Sequence, residues 1–155
     1  WAAQGITSRR SERSSPSAGA LYPLEVYAAT GDVDNLEPAV YRYQPANHEI
    51  ETMLEGDIRA LLADAALEQQ YIAEGAAVIV ITSVYERITQ KYGERGIRYA
   101  HMEAGHTAQN IYLQAAALNL GMVAIGAFQE RRVMQLMDLA SGEEPLYIVP
   151  VGRKA

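Results

Sequence analysis

Ala76-Ala77-Val78-Ile79-Val80-Ile81-Thr82 is an unbroken apolar run, rich in β-branched residues. A run of that length and composition is a strand buried on both faces, so it belongs in the middle of a sheet. Working outward, residues 24–30 (LEVYAAT) alternate as a strand and stop at Gly31-Asp32. Residues 39–44 and 48–53 flank Pro45-Ala46-Asn47 and read as a hairpin. The closing EPLYIVPVG, from Glu144, is a further strand, and MVAIGAF (122–128) is a short apolar strand or strand-to-loop segment. Helical spacing marks residues 56–75 as one helix or two. It also marks 99–121, the longest helix, stopping at Leu120-Gly121, and the amphipathic 129–140. Residues 83–98 are polar, hold Gly93 and Gly96, and read as a mobile, exposed connection. Strands and helices mixed in this way predict an α+β domain rather than a regular βαβ series.

The 155 residues are one domain by length, and 49% hydrophobic content supports a real core. A net charge of −6 argues against nonspecific nucleic-acid binding. No cysteine is present, which excludes disulfides, thiolate nucleophiles and Cys-ligated metal. No apolar stretch reaches the ~20 residues of a membrane helix, and no signal-peptide pattern opens the chain. These features fit a cytoplasmic protein without membrane or nucleic-acid partners. The opening WAAQGIT reads as a helix tail, so the expectation is a domain spanning 1–155 without its N-terminal segment. Arg9, Arg10 and Arg13 cluster near one end, and Arg153 with Lys154 at the other. Brought together they would hold an anion such as phosphate; apart, they are solvated surface charges.

The run Pro16-Ser17-Ala18-Gly19-Ala20-Leu21-Tyr22-Pro23 precedes the first strand. Proline stiffens such a loop, and glycine lets the backbone approach a ligand closely. It is either a surface for a flat ligand or simply a connection. Other chemistries are set aside: there is no phosphate-binding glycine loop, no G-x-G-x-x-G and no nucleophile elbow. His101, Glu103 and His106 are the one His/carboxylate cluster, but histidines five apart do not share a helix face. No metal is expected there. Capping and packing at the start of the long helix, with Glu103 at the positive end of its dipole, is the simpler reading.

PSAGALYPLEVY, KYGERGIRYAHMEAGHTAQNIYLQAAALNLG, AIGAF and YIVPVG occur in this order across the whole chain. Together they resemble the nitroreductase-like flavoproteins, in particular the SagB-type branch with its thiazole/oxazole (azoline) dehydrogenases. The resemblance implies a mixed, largely antiparallel sheet flanked by helices around a long central helix, with a homodimer binding FMN at its interface. It lays Pro16, Ser17, Ala18 and Ala20 against the isoalloxazine ring. Gln69, on the helix before the central strand, would reach the pyrimidine edge, and Gly126 and Ala127 would present backbone N–H to N5 and O4. Arg153 and Lys154 would bind the FMN phosphate. Lys91 and Tyr92 match a catalytic pair linked to substrate deprotonation, with Tyr99, His101 and Glu103 as support or pocket lining. The implied activity is hydride transfer to or from flavin N5, with a small molecule, a modified peptide or NAD(P)H as partner. The alternative is a non-catalytic flavin-binding or scaffold protein of the same fold. The branch usually opens with Arg-Arg-Ser-x-Arg ahead of a segment like AAQG. Here RRSER (9–13) lies after it, with Arg13 the arginine expected to approach the ligand.

Overall fold

A computed structural model describes residues 1–154. Its elements run β1 (Leu24–Thr30), β2 (Ala39–Gln44), β3 (Glu49–Glu55), α1 (Arg59–Ala65), α2 (Tyr71–Glu74) and β4 (Ala77–Val84). They continue with α3 (Glu86–Tyr92), α4 (Arg95–Ala117), β5 (Leu120–Met122), α5 (Glu130–Leu136) and β6 (Glu143–Arg153). Among the described residues the strands form one sheet in the order β3-β2-β1-β4-β6-β5. Every pairing is antiparallel. The expected α+β class, with an antiparallel sheet flanked by helices, is what the chain adopts.

β4 lies inside the sheet between β1 and β6, as its composition requires. Alternation along it feeds two cores. Val78 and Val80 pack with Leu62, Ile72, Val133 and Met137 from α1, α2 and the α5 region. Ile81 packs instead with Ala104, Ala108 and Ile111 of α4. The small alanines let α4 lie close against the sheet, so one helix covers one face and three short helices cover the other.

Residues 83–98 differ from expectation: they are not a mobile connection. β4 continues to Val84, α3 follows, and α4 begins at Arg95, four residues before the expected start. Ile88 is fully buried, and a Cβ on Gly96 would stand 3.0 Å from the Ile88 carbonyl, so α3 and α4 meet backbone to backbone. Seven residues with one buried side chain show no legible periodicity in sequence. α4 also stops earlier, at Ala117, and the left-handed residue just beyond it is Asn119 rather than glycine. Residues 56–75 form two helices separated by a turn in which Leu67 and Glu68 are left-handed. Of 122–128, Met122 ends β5, and Ile125 bridges to Ile148. The opening residues are irregular and are tied to α4: Gln4 donates to Thr107 Oγ1 (3.1 Å), and Asn110 donates to the Ser14 carbonyl (3.0 Å).

Candidate active site

The loop ahead of β1 is built from unusual backbone. Ala18–Ala20 form a 3-10 turn in which Gly19 (φ 64°) and Ala20 (φ 53°) are left-handed, and Tyr22 (φ 48°) follows suit. Non-glycine residues pay about 1–2 kcal/mol each for that conformation, so the loop must be held from outside. Ser17 Oγ accepts from the Tyr22 N–H (2.9 Å), and Glu103 Oε1 accepts from the Ala18 N–H (2.8 Å). Glu103 is 5% exposed. Burial pushes its carboxyl above the ordinary range, while hydrogen bonds from Ala18 and Ser17 and the nearby His106 oppose that rise. It sits nine residues into α4, beyond the first turn, so the expected dipole role does not hold.

Lys91 and Tyr92 end α3 directly over this loop. A Cβ on Gly19 would lie 2.9 Å from Lys91 Nζ and 2.8 Å from Tyr92 Oη. Only glycine at this left-handed position leaves both polar tips room. Tyr92 packs edge-on against Tyr99, with centroids 5.3 Å apart. α3 is tethered in turn by Arg87, which pairs with Glu25 (2.6 Å) and donates to the Tyr22 carbonyl (3.3 Å); Arg42 holds the other Glu25 oxygen (3.1 Å). Loop, α3 and α4 therefore form one assembly containing Pro16, Ser17, Ala18, Ala20, Lys91 and Tyr92.

A second group forms around Gln69. The residue lies in the turn between α1 and α2, not on a helix as expected. Its Nε2 donates to the carbonyls of Ala66 (2.8 Å) and Ala127 (3.1 Å), which ties it to the Gly126-Ala127 segment. Paired bonds of 2.9 Å between Ile125 and Ile148 anchor that segment to β6. Open space fronts Gly126: a Cβ there would come no nearer than 3.9 Å to anything, at Tyr147.

Arg153 and Lys154 form a third group at the far end of β6. They line a groove of about 580 Å³ together with Tyr71, Gly121, Gly152 and Met122. Lys154 Nζ lies 3.5 Å from Asn119 Oδ1. The Arg9–Arg13 cluster is placed elsewhere. Arg13 stacks over the Tyr22 ring (4.4 Å) and donates to Gln4 Oε1 (3.0 Å), which ties it to the loop ahead of β1. Sequence reasoning left Gly19 out of the residues laid against the ring and gave Glu103 only as support or pocket lining. Gly19 was visible as the glycine inside the Pro-Ser-rich run, whereas the role of Glu103 depends on a contact 85 residues away.

Loop assembly and basic groove neighbour different stretches of α4. Glu103 lies under the loop, and Ala117 lies beside β5, whose Leu120 pairs with Arg153. Fourteen residues of helix separate them, ~21 Å at 1.5 Å per residue.

The Nitroreductase family profile matches residues 1–153. The chain is 46% identical over 154 residues to the Methanocaldococcus jannaschii protein "Putative nitroreductase MJ1384", covering 99% of this chain and 77% of that one. It is 27% identical over 129 residues to the microcin B17-processing protein McbC of Escherichia coli, covering 80% of this chain but 47% of McbC. Among solved structures it superposes on the E. coli microcin synthetase McbBCD complex with truncated pro-MccB17 bound. That match has a TM-score of 0.85 and 25% identity, covering 99% of this chain and 60% of that one. Matched in profile, sequence and fold along almost its whole length, the chain belongs to the nitroreductase family of oxidoreductases.

Proposed function

We propose that the chain is an FMN-dependent oxidoreductase that passes hydride between a substrate and flavin N5. The observation that carries this reading is the meeting of the small-residue loop with the Lys91–Tyr92 pair at Gly19. The residues present fit the cofactor. Pro16, Ser17, Ala18 and Ala20 offer a low surface for a flat ring, and Gly126 has open space before it. Gln69 donates from Nε2 to two carbonyls, which leaves its oxygen to accept from the pyrimidine N3–H. Backbone N–H of Gly126 and Ala127 would stabilise charge at the N5/O4 edge. Arg153, with Lys154, would hold the phosphate bidentately.

FMN, when bound, supplies a two-electron hydride acceptor and donor. The protein's part is to place a base beside it. Lys91 would take the proton that leaves with the substrate hydride, with Tyr92 beside it. An adjacent amine and phenol suit deprotonation of a carbon acid, which favours a dehydrogenase acting on a small molecule or modified peptide over an NAD(P)H-driven reductase.

The loop is tied to α4 at Glu103, and the basic groove lies by β5, past the helix's C-terminal end ~21 Å farther along its axis. Two chains would close the gap. The outer side of α4 exposes Met102, Tyr112 and Leu113, an apolar stripe suited to a homodimer contact. No helix among the described residues is long and apolar enough to cross a membrane.

The test is an absorption spectrum after FMN is added and the excess removed, followed by anaerobic NAD(P)H. Retained flavin that stays oxidised with NAD(P)H but bleaches with an azoline-containing peptide is expected. Bleaching by NAD(P)H would move the assignment to a reductase, and no retained flavin would refute it.

A further inference from the structure

Glu103 is a buried carboxylate that no Lys or Arg pairs with among the described residues. Glutamate is rarely so placed unless its oxygens are used. Here Oε1 is used on the Ala18 N–H, in the middle of the turn whose neighbours Gly19 and Ala20 are left-handed. The bond joins α4, anchored in the core by Ala100, Ala104 and Ala108, to a loop 85 residues earlier in the chain. One residue on, at Gly19, the loop meets Lys91 and Tyr92. A strained turn persists only where its surroundings over-determine it, and α4 supplies one wall through this single carboxylate.

We infer that Glu103 is the positioning residue of the flavin-facing loop: from α4 its carboxylate holds the Ala18 N–H and fixes the surface that Pro16–Ala20 present beneath Lys91 and Tyr92. This rests on the FMN reading above. A bond from a backbone N–H to a charged acceptor is stronger than a neutral one. Removing the acceptor leaves a part-buried N–H unsatisfied and frees the turn to relax.

Two variants separate positioning from bulk packing. Glu103→Leu keeps the volume and removes the acceptor, while Glu103→Gln keeps an acceptor oxygen and removes the charge. Amide hydrogen exchange of the cofactor-free protein and FMN affinity by fluorescence quenching are both measured. Glu103→Leu is expected to speed exchange across residues 17–22 about tenfold and to weaken FMN binding about tenfold, with β4 exchange unchanged. Glu103→Gln is expected to recover most of both losses. Unchanged loop exchange in Glu103→Leu overturns the inference. So does equal acceleration in β4, or a Gln variant no better than Leu. Native protein that binds no FMN overturns the underlying reading instead, and the exchange data judge the anchor separately.

Discussion

The two regions that flank α4, one at Glu103 and one past Ala117, are built differently. Near Glu103 the loop is held by a buried carboxylate and meets Lys91–Tyr92, and an Arg42–Glu25–Arg87 network steadies α3. Near Ala117 the groove has glycine walls, and its cations make little contact: Lys154 reaches Asn119 at 3.5 Å. One region has its geometry fixed by folding. The other offers charge and space that a ligand would organise. Where chemistry needs a base held within reach of a reacting atom, preorganisation matters; where a phosphate need only be neutralised, a flexible cation is enough.

Substitutions can break this contrast. The largest effect is expected at Lys91→Met, which should lower turnover ~100- to 10,000-fold, the usual contribution of a general base. FMN affinity should stay unchanged, as checked by steady-state rates beside a binding titration. Equal losses in both would make Lys91 a binding residue. Next is Arg153→Ala: losing a charge-assisted phosphate contact should weaken FMN ~10-fold or more. Its denaturation midpoint should match the native protein, because nothing folded depends on that side chain. Gly19→Ala should behave in the opposite way, costing ~1–2 kcal/mol of stability for its left-handed backbone. The added methyl also meets Lys91 and Tyr92, so affinity and thermal midpoint should fall together. If Arg153→Ala destabilised the fold and Gly19→Ala did not, the contrast between the two regions would be reversed.

The smallest effect is a pH dependence. Burial raises the Glu103 carboxyl above its ordinary value of 4.5, so the native state binds protons that the unfolded chain releases. Stability therefore declines as pH rises from 4.5 through the raised folded value, and that contribution is absent from Glu103→Gln. Urea midpoints across this window, native against variant, should diverge at the alkaline side in favour of Gln.

What the sequence disclosed follows the same division. Strands β1 and β2 have the expected bounds, because two-residue alternation and turn residues are local signals. The loop announced itself through Pro16, Gly19 and Pro23. Short, charged α3 did not, since Ile88 is its one buried side chain and its packing comes from Gly96 on the next helix. Gln69 was expected on a helix, but two successive left-handed residues before it break the chain into a turn. Glu103 looked like a helix-start residue because the true start, Arg95, lay inside a segment read as loop. Long-range hydrogen bonds such as Ala18 to Glu103 leave no periodic trace, so that half of the site became visible only in three dimensions.

The most direct test of the account is a fluorescence titration of the native protein with FMN, paired with its oligomeric state by light scattering. Saturable quenching at one FMN per chain and a dimer that persists when bound are expected. A monomer that binds FMN would contradict assembly of the site from two chains. Protein that leaves FMN fluorescence unchanged would contradict the flavoenzyme reading itself.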